Sequence, residues 1–131
     1  MIRILIVDDN PTNLKLACVL LRGIGYAVEP ASDAEEAMAA IRRTIPDMIL
    51  MDIELPGMDG LALTRVLKSN PSTKAIRIVA MTAFAMKGDE TKAIDAGCDG
   101  YIAKPIDTRR FPEQVASYLA GVKEVREVEE P

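Results

Sequence analysis

The chain has 131 residues, which suits one domain that buries roughly two-thirds of the surface its unfolded form exposes and argues against a second folded domain. Hydrophobic residues make up 49% and charged residues 27%; the formal net charge of -4, with no basic stripe, argues against direct contact with nucleic acid. Histidine is absent, which excludes imidazole acid catalysis, Ser–His and Cys–His nucleophiles and a phosphohistidine carrier, and leaves carboxylates, hydroxyls and lysine for any chemistry.

Ile2 to Val7 is a nearly continuous branched apolar run, so it predicts a strand buried on both faces, too short for a signal peptide or a membrane span. No contact with a membrane is expected, and a cytoplasmic location is. Asp8-Asp9-Asn10 ends the strand. Asn10 before Pro11 predicts an N-cap with proline in the first turn, and Leu14, Ala17, Leu20, Leu21 and Ile24 then recur at helical spacing until Gly23 and Gly25 close the helix. A weaker strand is expected at Tyr26 to Ala31, and Ser32 is placed as the cap of a helix whose apolar stripe is Ala34, Ala37, Met38 and Ile41. Pro46 separates it from the run Asp47 to Met51, which delivers Asp52 just before the Pro56-Gly57 break.

Asp59 to Ser69 carries Leu61, Leu63, Val66 and Leu67 at helix-compatible spacing, and Asn70-Pro71-Ser72 breaks it. The strand Ile76 to Thr82 follows, then a short polar helix from Asp89 to Ala96 with Gly97 as its C-cap. Tyr101-Ile102-Ala103 is the last strand, closed by Lys104-Pro105. Thr108 or Asp107 caps a final helix in which Phe111, Val115, Tyr118 and Leu119 share a face. The domain is expected over 1–120, with 121–131 a charged tail that continues the helix and frays. Cys18 and Cys98 lack metal spacing and are expected as reduced, half-buried thiols.

Strands alternating with helices predict an open parallel sheet with helices on both faces, and in such sheets the ligand site lies beyond the carboxyl ends of the strands. That rule gathers Asp8, Asp9, Asp52, Thr82 and Lys104 on one edge. Each is an ordinary strand-end residue when taken alone; together they make a set. Unit charges about 4 Å apart repel by on the order of 4 kcal/mol at an effective dielectric near 20, so the carboxylates call for protons or a cation. Magnesium joins one or two carboxylates to a phosphate, which fits Asp8 or Asp9 with Asp52, and manganese is its natural substitute. Asp52, standing alone in the middle, suits an attack on phosphorus, with the Lys104 ammonium and the Thr82 hydroxyl to steady the arriving oxygens.

The ILIVDDN start, the MILMDIELPGMDG stretch, Met81-Thr82-Ala83 and Lys104-Pro105-Ile106 resemble the receiver domains of two-component response regulators over Ile2 to about Leu119. The resemblance implies a flavodoxin-like (CheY-like) α/β three-layer sandwich with a parallel sheet of order 2-1-3-4-5 and five helices. It also implies that Asp52 is the phosphoacceptor, Asp8 and Asp9 the acidic metal pair, and Lys104 the phosphate-facing lysine. Thr82 would be the switch hydroxyl, coupled to Tyr101, and the Glu54 main-chain carbonyl a further magnesium ligand. Glu54 and Phe84 flank the site, and Phe84, Met86 and Tyr101 would form a partner surface. Thr82 to Glu90 is similar to single-domain regulators of the DivK type.

As implied, the partners are a histidine kinase or histidine phosphotransfer protein and a downstream protein target. The chain would be a monomer or a weak phosphorylation-dependent dimer, and not an enzyme beyond assisting its own phosphotransfer and dephosphorylation. Two other readings stand beside this one. A receiver fold could act as an interaction module without phosphorylation. A phosphohydrolase of the haloacid dehalogenase type also uses an aspartyl phosphate, but its Asp-x-Asp-x-Thr pattern is not reproduced by Asp8-Asp9-Asn10-Pro11-Thr12.

Overall fold

The computed structural model describes residues 1–55, 59–83 and 87–129, and the side chains of these except 87–89 and 121–129. Five strands alternate with five helices: β1 Arg3–Val7, α1 Pro11–Gly23, β2 Ala27–Ala31, α2 Ala34–Arg43, β3 Met48–Asp52, α3 Gly60–Ser69, β4 Arg77–Thr82, α4 Lys87–Ala96, β5 Gly100–Ala103 and α5 Phe111–Glu129. All strand pairs are parallel and the sheet order is β2-β1-β3-β4-β5, as the resemblance implied.

Parallel strands joined by crossover helices are covered on both faces, and the alternation of side chains along each strand feeds two cores. Ile4, Ile6, Met48, Leu50, Val79, Met81 and Ile102 meet Ala17, Cys18 and Leu21 of α1 and Phe111, Val115 and Leu119 of α5. On the opposite face Leu5, Val7, Ile49, Met51, Ile78 and Ala80 meet α2, α3 and α4. Phe111, Leu21 and Leu63 are buried, and each side chain of this size contributes about 1.5–3 kcal/mol when removed from water.

Asn10 caps α1 as its sequence predicts: its side chain accepts from the backbone N–H groups of Thr12 and Asn13, and Pro11 is the first helical residue. Several expectations are corrected. The cap of α2 is Asp33, which accepts from the Glu36 N–H, while the Ser32 N–H and hydroxyl both donate to the Glu36 carboxylate. Asp59 sits outside α3 as its cap rather than as its first residue. Strand β2 begins at Ala27 and β4 at Arg77, and α4 begins at Lys87. Ile24 and Val66 are exposed, and Cys18 and Thr64 fill the stripes beside them. Cys18 and Cys98 are free, as expected, but buried rather than half-buried, and they lie in the two separate cores with the sheet between them. The helical backbone of α5 runs on to Glu129, through most of the segment expected as a charged tail.

Candidate functional site

Register brings the strand-end residues together. Val7 pairs with Met51, so Asp8 and Asp52 emerge beside each other; Asp52 pairs with Met81 and Thr82 with Ala103, which sets Thr82 and then Lys104 on the adjoining ends. The runs of β1 and β3 stop level, and those of β4 and β5 each stop one residue further on. The sheet thereby presents its polar side chains along a single edge.

Asp8 and Asp52 are both buried and are held in the same way. One oxygen of each accepts from the backbone N–H two residues on, Asn10 N to Asp8 Oδ1 at 2.9 Å and Glu54 N to Asp52 Oδ1 at 2.9 Å. The second oxygen of each faces Lys104, whose Nζ lies 2.9 Å from Asp8 Oδ2 and 3.2 Å from Asp52 Oδ2. Short Asp side chains favour such turns, which help to fix the carboxylate plane from the local backbone. Asp9 is exposed, and one oxygen from each of Asp8, Asp9 and Asp52 fits within a 4.8 Å span.

Three carboxylates against one ammonium leave an excess of two negative charges. Burial pushes the Asp52 carboxyl above the usual carboxylate range; the Glu54 N–H and Lys104 oppose this, and the neighbouring Asp8 charge adds to it. For Lys104 burial works against the ammonium, but the hydrogen bond and charge of Asp8, with those of Asp52, outweigh it and raise its pKa. The donor set fits a hard divalent cation: it is all oxygen, close-set, open to solvent at Asp9 and in charge excess by the amount such an ion carries.

Thr82 is buried at the end of β4, and its hydroxyl donates to Glu54 Oε1 at 2.8 Å. The Ala83 N–H donates to the same oxygen at 3.2 Å. The resemblance places only the Glu54 carbonyl at the metal; the reach of its carboxylate to Thr82 is an addition, hidden in the sequence by a separation of 28 positions. Tyr101 is partly buried, with its ring against the core under α2, α3 and α4. Its backbone N–H and carbonyl are bridged by the Tyr118 hydroxyl of α5, at 3.4 and 3.2 Å. Phe84 and Met86, expected as partner anchors, lie outside the described residues.

A residue to which sequence reasoning gave no role is Gly60. A Cβ there would fall 2.8 Å from the Ile53 Cα and still closer to the Asp52 carbonyl oxygen. The signal was available: a glycine in the first turn of an otherwise Leu-rich helix has no propensity reason to be there.

Residues 4–116 match the model of the response regulator receiver domain. The chain belongs to this family. It is 44% identical over 116 residues to the polar-differentiation response regulator DivK of Brucella anthropi, a match that covers 88% of this chain and 94% of the relative. Among solved structures it is similar to a putative response regulator from Chloroflexus aurantiacus, 35% identical with a TM-score of 0.85, covering 90% of this chain and 97% of that one. A CheY-like receiver domain protein from Methanospirillum hungatei is 31% identical with a TM-score of 0.85, covering 95% and 98%. The receiver is a signalling module, and membership in the family supports a phosphoacceptor role in two-component signalling.

Proposed function

We propose that this receiver takes a phosphoryl group onto Asp52 from a phosphohistidine of a partner kinase or phosphotransfer protein, with magnesium, or manganese in its place, held at Asp8, Asp9, Asp52 and the Glu54 carbonyl. In the transfer an oxygen of Asp52 forms the bond to phosphorus as the phosphorus–nitrogen bond breaks. The electron pair stays on the partner's imidazole nitrogen, which takes a proton from solvent. The arrangement that carries this reading is Lys104 Nζ set between the buried carboxylates of Asp8 and Asp52, beside the exposed Asp9.

When bound, the divalent ion supplies positive charge to the transferring phosphoryl group. The protein's own part is positional. The Glu54 N–H holds one Asp52 oxygen and so fixes the plane of the nucleophile, and Lys104 trades a carboxylate partner for a phosphoryl oxygen. Thr82 then donates to another phosphoryl oxygen, which lets Tyr101 turn inward. The signal leaves through contact with a downstream protein, by a shift in a pre-existing equilibrium of the face that includes α4, β5 and α5.

The signalling unit is residues 1–120, with 121–131 a charged extension. Likeness to polar-differentiation regulators supports an output in bacterial cell polarity and a place in the cytoplasm; among the described residues no helix is long and apolar enough to cross a membrane. Incubation with acetyl phosphate and magnesium tests the reading: the wild type gains one acid-stable, base-labile phosphoryl group and Asp52→Ala gains none. Undiminished labelling of Asp52→Ala contradicts it.

A further inference from the structure

A hydroxyl has one proton to donate. In this structure the Thr82 proton is committed to Glu54 Oε1 at 2.8 Å, and the next backbone N–H, that of Ala83, is committed to the same oxygen at 3.2 Å. The residue expected to meet the phosphoryl group, and the backbone N–H that follows it, are therefore both tied to a side chain two positions beyond Asp52. Thr82 cannot donate to a phosphoryl oxygen until it lets go of Glu54.

We propose that the Glu54 carboxylate is a positioning residue that holds Thr82 and the Ala83 N–H in the unphosphorylated arrangement, so that phosphorylation has to compete with it. The inference rests on the phosphoacceptor reading of Asp52. Its logic is that of a population tax: a ligand that needs the released Thr82 binds more weakly by the fraction of molecules in which Thr82 is already released. A hydrogen bond to a charged acceptor is stronger than one to a neutral acceptor, but the exposure of Glu54 brings its net effect down to that of an ordinary neutral hydrogen bond. Removal of the latch is then worth about fivefold in affinity for a phosphoryl mimic.

The competing explanation is simple repulsion, since Glu54 also puts a negative charge near an anion's site. The two separate by variant. Glu54→Ala removes both acceptor and charge; Glu54→Gln removes the charge and keeps an oxygen that the Thr82 hydroxyl and Ala83 N–H can reach.

The experiment is a titration with beryllium fluoride in the presence of magnesium, followed by the backbone amide resonance of Ala83. Glu54→Ala binds the mimic about fivefold more tightly than wild type and shifts the Ala83 resonance before any mimic is added, Glu54→Gln stays closer to wild type than to the alanine variant, and the gain from Glu54→Ala disappears in a Thr82→Ala background. Equal gains in the Ala and Gln variants, or a gain that survives Thr82→Ala at full size, overturn the latch in favour of charge repulsion. Equal affinity of wild type and Glu54→Ala overturns the latch and leaves the phosphoacceptor reading standing. No uptake of the mimic by either protein overturns that reading and the latch with it.

Discussion

Gly60 at the start of α3 lies against the backbone of Asp52 so closely that a Cβ there would overlap the Asp52 carbonyl oxygen and sit 2.8 Å from the Ile53 Cα. At an ordinary helical position Gly→Ala stabilises by about 0.5–1 kcal/mol. Here the neighbour is backbone, which has no rotamer to give. Gly60→Ala should therefore reverse the sign and cost about 1–3 kcal/mol, as overpacking does. Urea unfolding with and without magnesium checks it. A stabilised variant would show that α3 and the Asp52 peptide are not in contact.

Asp52 gives a pH-dependent prediction. Burial raises its folded-state pKa above the ordinary value of 3.8, so the folded chain holds the proton more tightly than the unfolded chain does. Its contribution to stability is best at low pH and declines as pH rises from about 4 through the folded-state pKa. Asp52→Asn, which cannot acquire the charge, should be more stable than wild type in metal-free buffer at neutral pH. The difference should shrink to nothing below the unfolded-state pKa. Magnesium, by favouring the charged form, should also reduce it. Thermal melts across pH, with and without chelator, read both trends, and a variant less stable than wild type at neutral pH would count against a strained, metal-awaiting carboxylate.

At the opposite end of the sheet, Lys68 ties three segments together. Its Nζ donates to the Lys74 and Ile76 carbonyls at 3.1 and 2.7 Å and lies 2.8 Å from Asp99 Oδ2, which also accepts from the Ile78 N–H at 2.9 Å. Lys68→Met keeps most of the stem and leaves those oxygens without the ammonium. The pair is only partly buried, so the expected loss is about 1–2 kcal/mol in urea unfolding. Labelling by acetyl phosphate should be unchanged, because the clamp is remote from the acid cluster. Impaired labelling at full stability would be unexpected.

The Tyr118 ring packs closely against Gly100. A Cβ at Gly100 would come within 2.6 Å of the Tyr118 Cδ1, and the Tyr118 hydroxyl closes both polar groups of the Tyr101 peptide on an edge strand. Tyr118→Phe keeps the ring and loses the bridge, which should cost about 0.5–1.5 kcal/mol and speed amide hydrogen exchange at Tyr101 more than at Ile102. Exchange at Tyr101 that matches wild type would remove Tyr118 from the account of how β5 is held.

Much of this was open to a reading of the chain alone, and the reason is local. Ile4 to Val7, Ile49 to Met51 and Ile78 to Met81 are apolar runs bounded by a polar residue, so strand and terminus are written together, and the register of parallel strands then carries Asp8, Asp52, Thr82 and Lys104 to one edge. What stayed hidden depends on neighbours distant in sequence. Nothing local says that Glu54 rather than solvent receives the Thr82 proton, or that Lys68 finds Asp99. Ser32 and Asp33 are both competent caps, and the choice falls on Asp33 because Glu36 turns back to satisfy Ser32. Helical period locates a stripe but not its width, which is why Val66 and Ile24 proved exposed.

The central claim is that Asp52 accepts the phosphoryl group at a site that needs a divalent ion. The direct measurement is transfer from a phosphorylated histidine phosphotransfer protein, with the product mapped by peptide mass spectrometry after rapid quenching. One phosphoryl group on Asp52, formed with magnesium and lost with excess chelator, is the predicted result. A phosphoryl group on any other residue, or transfer to Asp52 that chelation leaves untouched, would contradict it.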